Sequence, residues 1–170
     1  MTDHAEKPPI RALLGTIAFV AVLPATVIVL VPRWLTRWQL DPPLGGTSLT
    51  RWLGAILVVA ATPLFLSFLS RFVWEGHGTP APIAPTERLV VGGPFRWVRN
   101  PGYVAVIAML VGQGLFFASP AVLLYAAVIA LGFHVFVLVY EEPTLRDTYG
   151  REYDDYCRRV PRWIPRRPAK

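Results

Sequence analysis

Four apolar runs alternate with polar segments along the chain, and this alternation is the dominant pattern of the sequence. The runs cover residues 12–32, 53–69, 103–117 and 121–140. A helix of about 20 apolar residues crosses the hydrocarbon core of a bilayer, so the runs predict membrane-spanning helices, although the third run is short. Helices also satisfy their own backbone polar groups in lipid. We therefore predict an all-α integral membrane protein with about four transmembrane helices, forming a single domain over residues 1–170.

Two polar segments, residues 74–101 and 141–165, complete the pattern. The glycines and prolines of the first segment exclude a regular helix there, while its aromatic and arginine content is untypical of disorder. In the second segment apolar side chains recur at helical spacing, which predicts a C-terminal amphipathic cytosolic helix on the membrane or on the first segment. These side chains are Leu145, Tyr149, Tyr153, Tyr156 and Val160. The basic and aromatic tail, residues 161–167, predicts an interfacial anchor.

The composition supports a membrane protein and changes how the charge is interpreted. The chain is 54% hydrophobic and 16% charged, whereas soluble domains carry about 25% charged residues. The net charge of +6 therefore indicates positively charged loops and contact with anionic lipid headgroups, not nucleic-acid binding. The single cysteine, Cys157, excludes an internal disulfide, and the sequence predicts no metal site.

Loop charge predicts the orientation. Residues 74–101 and the basic C-terminus share one face, because a two-helix hairpin separates them, and the positive-inside rule makes that face cytoplasmic. Arg33, Arg37 and Arg51 then lie on the other face, which departs from the rule. Either the first two runs do not both span fully, or the stronger C-terminal signal decides the orientation.

Three polar or small-residue features in or between the last two apolar runs carry further predictions. Gln113 lies between Gly112 and Gly114 in the third run, which predicts a hydrogen bond between helices and close helix packing. The turn at residues 118–120 makes a helical hairpin of the last two runs. His134 lies near the end of the fourth run, where it is either a hydrogen-bonded packing residue or part of a site.

The strongest candidate chemistry lies where the polar segments meet. Arg96, Arg99 and Asn100 precede the third run, and Glu141 and Glu142 follow the fourth. Two interpretations remain open from the residues alone. The groups form simple ion pairs, or they line a pocket for an amphiphilic ligand, whose cationic group carboxylates and aromatic rings would attract.

Three stretches together resemble the isoprenylcysteine carboxyl methyltransferase family, to which phospholipid N-methyltransferases are related. They are Glu75–Pro82, Leu89–Tyr103 and Glu141–Pro161, and they include Arg-Asn-Pro-Gly-Tyr, Glu-Glu-Pro-Thr-Leu and Tyr-Gly-x-x-Tyr-x-x-Tyr. The resemblance covers roughly the C-terminal half. It implies a membrane enzyme, here of the small bacterial type, that transfers a methyl group from S-adenosyl-L-methionine to a lipophilic or small amphiphilic acceptor. We expect it in the bacterial inner membrane, with the active site facing the cytoplasm.

The resemblance also implies site residues. The cofactor-binding positions fall on Glu87, Arg88, Leu89, Val90, Phe95, Asn100, Pro101, Gly102, Tyr103 and Glu141. The family usually has histidine, tyrosine and histidine where this chain has Glu87, Phe95 and Asn100. Glu141 is expected to orient polar groups of the cofactor.

We predict His134, Arg99 and Glu142 as catalytic residues. The prenylcysteine enzymes place an arginine one turn before the glutamate, where this chain has Val137, so a carboxylate substrate would lose its charge partner. His134, about one turn earlier on the same face, is expected to replace that arginine as a donor or to act as a general base. Arg99 is expected to brace the loop or meet the cofactor carboxylate.

Two other functions remain open at this stage. Sterol reductases, which use NADPH, share a similar C-terminal hairpin and tail, although their polar pattern differs from Glu-Glu-x-x-Leu. A non-catalytic membrane scaffold that retains the fold is the third interpretation. The sequence does not specify the oligomeric state or the acceptor.

Overall fold

The structure, a computed structural model, describes residues 10–74 and 89–167. Every regular element in these two stretches is helical, which confirms the all-α prediction. The α-helices are α1 (Ile10–Ala25), α2 (Val31–Thr36), α3 (Leu49–Trp74), α4 (Pro101–Phe116), α5 (Pro120–Phe136), α6 (Glu142–Tyr149) and α7 (Arg151–Arg159). Short 3₁₀ turns occur at Leu44–Gly46 and Gly93–Arg96.

Two π-helical turns join neighbouring helices into longer rods. Thr26–Leu30 joins α1 to α2, and Val137–Glu141 joins α5 to α6. Each turn ends two residues before a proline, Pro32 or Pro143. A proline inside a helix lacks an N–H and crowds the carbonyl four residues earlier, and a wider π turn relieves both defects. The rod that begins with α5 therefore continues to Tyr149, nine residues beyond the predicted end of the fourth run.

Two helices of the described chain are long and apolar enough to cross a bilayer. They are Leu49–Arg71 and Pro120–Tyr149. Ala21–Thr36 and Pro101–Phe116 are apolar but shorter. The 16 residues of α4 give a length of about 24 Å, compared with the roughly 30 Å hydrocarbon core. The helices thus fit a membrane protein, and the count of four spans stays a prediction.

Glycines bring the backbones of α3 and α4 into contact. A Cβ atom added to Gly54 would lie 2.5 Å from the carbonyl oxygen of Gly112, and one added to Gly112 would lie 2.8 Å from the carbonyl oxygen of Gly54. Gly114 packs equally closely against Leu123 of α5. This geometry confirms the close packing predicted around Gln113, and it holds α3, α4 and α5 together as the scaffold of the site.

The first π turn is tied to the hairpin by side-chain hydrogen bonds. The Gln113 side chain donates to the carbonyl oxygen of Ile28 at 2.9 Å, and the Tyr125 hydroxyl donates to that of Val27 at 3.4 Å. Both acceptors belong to Thr26–Leu30, where the widened turn leaves carbonyl groups accessible. The predicted interhelical role of Gln113 is confirmed.

The C-terminal helices pack on the loop that precedes α4. Their buried face and the loop form a second hydrophobic core. Its buried members are Val90, Phe95, Tyr153, Tyr156 and Val160. Of the two predicted placements, the amphipathic segment thus adopts the one on the loop. The prediction of one continuous amphipathic helix is wrong, because Gly150, with φ +53°, breaks the segment between α6 and α7.

Candidate functional site

A buried charge cluster joins three parts of the chain around Glu142. Arg162 donates from Nε to Oε1 at 2.6 Å and from Nη2 to Oε2 at 3.0 Å. Arg99 donates from Nη1 to Oε1 at 3.0 Å. The Glu142 and Arg99 side chains are 10% and 12% exposed. Both carboxylate oxygens are therefore occupied by guanidinium groups, and the cluster fastens α6 to the loop and to the tail.

Arg99 makes two further contacts, and one of its buried donors has no partner in the described residues. Its Nη1 also lies 2.8 Å from Cys157 Sγ, and its backbone N–H donates to the carbonyl oxygen of Pro161 at 2.9 Å. Its Nε is buried and has no hydrogen-bond partner in the described part of the chain. A buried donor without a partner is costly. The Nε–H is therefore a candidate contact for an acceptor atom of a ligand.

The start of α4 is buried where the loop, the tail and α3 pack together. Asn100 is 8% exposed, and its Nδ2 donates to the carbonyl oxygen of Arg162 at 3.1 Å. Pro101 occupies the first helical position, where a missing N–H costs nothing. Gly102 lies directly against the ring of Phe68, leaving no room for a side chain. These three predicted cofactor-binding residues come together here with Tyr103, one position further along α4.

Tyr103 and Glu141 form the second polar pair of the site. The Tyr103 hydroxyl donates to Glu141 Oε2 at 2.9 Å, and its ring stacks on Phe133 with centroids 4.4 Å apart. Successive residues of a helix point about 100° apart. Glu141 therefore faces the start of α4, while its neighbour Glu142 faces the loop and the tail.

The tail contributes a residue that sequence reasoning missed. Trp163 donates from Nε1 to Nδ1 of His134 at 3.1 Å, and its ring centroid lies 6.5 Å from that of Tyr103. The tail was predicted as an interfacial anchor only. Instead Arg162 and Trp163 turn inward and are half-buried, while Ile164 remains 75% exposed. The Val-Pro pair at positions 160–161, already part of the resemblance, was the available signal that the chain turns back here.

An apolar groove opens beside His134 and Trp163. It has a volume of about 480 Å³ and lies between α3, α4 and α5. His134 and Trp163 are the polar members of an otherwise apolar wall. The remaining lining residues are Leu57, Val104, Ile107, Ala108, Val111 and Ala130. Such a groove suits the hydrocarbon part of an amphiphilic molecule.

The remaining predicted cofactor-binding residues lie in the loop core. Val90 and Phe95 are buried, and Leu89 is half-buried. The carbonyl oxygen of Phe95 accepts from the Tyr156 hydroxyl at 2.8 Å. Burial raises the pKa of Tyr156 well above its ordinary value, so this hydroxyl stays protonated and donating. Glu87 and Arg88 lie outside the described residues.

Comparison with known proteins adds a family to this geometry. The profile of the phospholipid methyltransferase family matches residues 49–152, more than half of the chain. Protein-S-isoprenylcysteine O-methyltransferase B of Arabidopsis thaliana is 31% identical over 79 residues, 46% of this chain and 40% of that protein. A probable protein-S-isoprenylcysteine O-methyltransferase of Oryza sativa subsp. indica is 30% identical over 79 residues, 46% of this chain and 41% of that protein.

A bacterial protein is similar over a comparable length. The nickel-cobalt-cadmium resistance protein NccN of Alcaligenes xylosoxydans xylosoxydans is 35% identical over 83 residues, 48% of this chain and 38% of that protein. The chain thus spans about two fifths of the length of the curated relatives it matches. No solved structure matches the chain.

Proposed function

Because the chain belongs to the phospholipid methyltransferase family, we propose that it is a membrane enzyme that transfers a methyl group from S-adenosylmethionine to a lipophilic or small amphiphilic acceptor. One observation carries the proposal. The matched residues include the start of α4 and the π turn Val137–Glu141 between α5 and α6, and these two elements meet at the hydrogen bond between Tyr103 and Glu141. This contact supports a site built around Tyr103 and Glu141.

The free groups at this site fit the cofactor. When bound, S-adenosylmethionine supplies a methyl group already activated on a sulfonium, and its amino-acid end carries one carboxylate and one ammonium. The unpartnered Nε–H of Arg99 is a donor for a carboxylate. Glu141 is an acceptor for an ammonium or a hydroxyl, and its Oε2 is held in place by Tyr103. We therefore assign cofactor contacts to these two residues.

Arg99 and Glu142 otherwise serve as positioning residues. Both oxygens of Glu142 bind arginines, and these bonds use three of the roughly four acceptor sites of the carboxylate. The cluster keeps the loop and the α5–α6 rod in register. For an activated methyl group, alignment of the reacting atoms and exclusion of water are the main contributions that a protein can make.

The apolar groove is proposed to hold the hydrocarbon part of the acceptor. It lies between the apolar helices α3, α4 and α5, so in a membrane an acceptor would enter it from the lipid. Trp163, which lines the groove beside His134, lies 6.5 Å between ring centroids from Tyr103, and Tyr103 stacks on Phe133. This side of the groove is the proposed meeting point of acceptor and cofactor.

The location is proposed from charge. The loop, the charge cluster and the basic tail lie at one end of the helices, with Arg96, Arg99, Arg162, Arg166 and Arg167 among their residues. An excess of arginine indicates the cytoplasmic side. We therefore propose a multi-pass protein of a bacterial inner membrane whose active site faces the cytoplasm.

Calorimetric titration of the detergent-purified protein tests the cofactor assignment. S-adenosylmethionine, S-adenosylhomocysteine and NADPH are titrated into wild type, Glu141→Ala and Tyr103→Phe. We expect both adenosyl ligands to bind wild type and to bind Tyr103→Phe more weakly. We expect neither ligand to bind Glu141→Ala. Glu152→Ala removes an exposed carboxylate of α7 and is the matched control that should bind as wild type.

The other outcomes overturn the proposal in distinguishable ways. Binding of NADPH alone would identify a reductase-like enzyme. No binding of any of the three by folded protein would identify a scaffold. If the adenosyl ligands bind, transfer of a labelled methyl group into total bacterial lipid and into synthetic prenylcysteine then distinguishes the acceptor classes.

A further inference from the structure

We propose that Trp163 is a positioning residue that fixes the tautomer of His134, so that His134 meets the methyl acceptor as a hydrogen-bond donor and not as a general base. The inference rests on the proposed methyltransferase function and assigns a role to a residue of the tail. It also selects between the two roles that the sequence left open for His134.

The chemistry of the two side chains determines the tautomer. The indole Nε1–H of tryptophan only donates. Because it lies 3.1 Å from Nδ1 of His134, Nδ1 must accept and therefore carries no proton. A neutral imidazole has one N–H, so its proton resides on Nε2.

With this tautomer neither ring nitrogen is free to take a proton. The lone pair of Nδ1 is used by Trp163, and Nε2 already carries its proton. His134 is half-buried in the wall of the apolar groove. A donor in apolar surroundings is costly unless an acceptor reaches it. The structure thus matches a substrate whose head group brings a hydrogen-bond-accepting oxygen into the groove.

The same tautomer restricts the acceptor atom. An attacking atom that must lose a proton during methylation would need a base, and His134 in this state does not provide one. An atom with an available lone pair forms its bond to the methyl group while the methyl–sulfur bond breaks and its electron pair stays on sulfur. No proton moves to His134 in such a transfer, so the proposal favours acceptors of this second kind.

Nitrogen NMR of protein labelled with ¹⁵N-histidine tests the tautomer without any enzyme assay. The chain has three histidines, and His134→Gln identifies the signals of His134 by their loss. In the wild-type protein we expect the neutral imidazole of His134 to be mainly in the Nε2–H form. In Trp163→Phe we expect a mixture of both tautomers, whereas Trp34→Phe, which changes a 77% exposed tryptophan, should leave the spectrum of His134 unchanged.

Two NMR results would overturn the inference. One is a wild-type His134 that carries its proton on Nδ1. The other is a Trp163→Phe protein whose His134 tautomer is the same as in wild type. Neither result bears on cofactor binding, so failure here is distinguishable from failure of the proposed function, which calorimetry decides.

Turnover measurements on variants of His134 provide a second test. Glutamine retains a donor and does not act as a base near neutral pH. We therefore expect His134→Gln to keep turnover within about 10-fold of wild type and His134→Ala to lose more. A general base would instead cost about 10²- to 10⁴-fold in both variants, and that result would exclude the donor role. Trp163→Phe should lower kcat/KM about 2- to 10-fold with cofactor affinity unchanged.

Discussion

Arg162 binds both oxygens of Glu142, from Nε to Oε1 at 2.6 Å and from Nη2 to Oε2 at 3.0 Å, although 20 positions separate the two residues in the chain. Arg99 adds a third bond to the same carboxylate. The tail therefore packs against the candidate site. The geometry also explains why the loop, the α5–α6 rod and the tail take up one fixed arrangement.

Neutralising Glu142 should destabilise the protein strongly. Glu142→Gln leaves two arginines facing a neutral amide, and removing one partner of a buried ion pair costs about 3–5 kcal/mol. The free energy of unfolding in detergent measures the effect. Asp155→Asn is the control, because its ion pair with Arg158 is 53% and 72% exposed and should matter by no more than about 1 kcal/mol. Equal effects of the two substitutions would contradict a structural role for the cluster.

Adding one methyl group at Gly54 should separate α3 from α4. The new Cβ would lie 2.5 Å from the carbonyl oxygen of Gly112 and 2.6 Å from the backbone nitrogen of Phe116, and overpacking of this kind costs about 1–3 kcal/mol. Gly132→Ala is the matched control, since nothing lies within 4 Å of its added Cβ. That control should be neutral or stabilise by up to about 1 kcal/mol. Thermal unfolding of both variants tests the contrast.

Removing the amide of Gln113 should loosen the attachment of the first π turn. Gln113→Leu deletes the hydrogen bond to Ile28, and such bonds between membrane helices contribute about 0.6–2 kcal/mol. Hydrogen exchange of the Thr26–Leu30 amides should accelerate in this variant. Thr62→Val provides a control, because the Thr62 hydroxyl bonds only within its own helix, to Val58. Unchanged exchange at the π turn in Gln113→Leu would refute the prediction.

Tyr156 should make the protein sensitive to strongly alkaline conditions. Burial raises the pKa of Tyr156 above the ordinary value of 10.0. The folded state thus favours the protonated hydroxyl. Its stabilising contribution is complete below about pH 10 and is lost as the pH rises toward the folded-state pKa. The loss of unfolding free energy between pH 8 and pH 11 should therefore be smaller in Tyr156→Phe than in wild type. An equal loss in both proteins would contradict this assignment.

Several features could be predicted from the sequence because they depend on local patterns. Apolar runs long enough to cross a bilayer predict helices, because a helix satisfies its own backbone polar groups whatever its tertiary contacts are. Gln113 and its neighbouring glycines predict a close helix contact, since an amide in lipid needs a partner and glycine permits approach. The motif around Asn100 and Glu141 indicates the family without any knowledge of which side chains touch.

The tertiary structure alone decided which polar groups pair and which remain free. Nothing local distinguishes Glu141 from Glu142, yet one faces Tyr103 and the other two arginines, because their helical positions point about 100° apart. The inward turn of the tail likewise depends on partners distant in sequence: Trp163 reaches His134 across 29 positions. Hydropathy reports how each residue interacts with solvent or lipid, whereas charge pairing and tautomer depend on distances that only the folded chain sets.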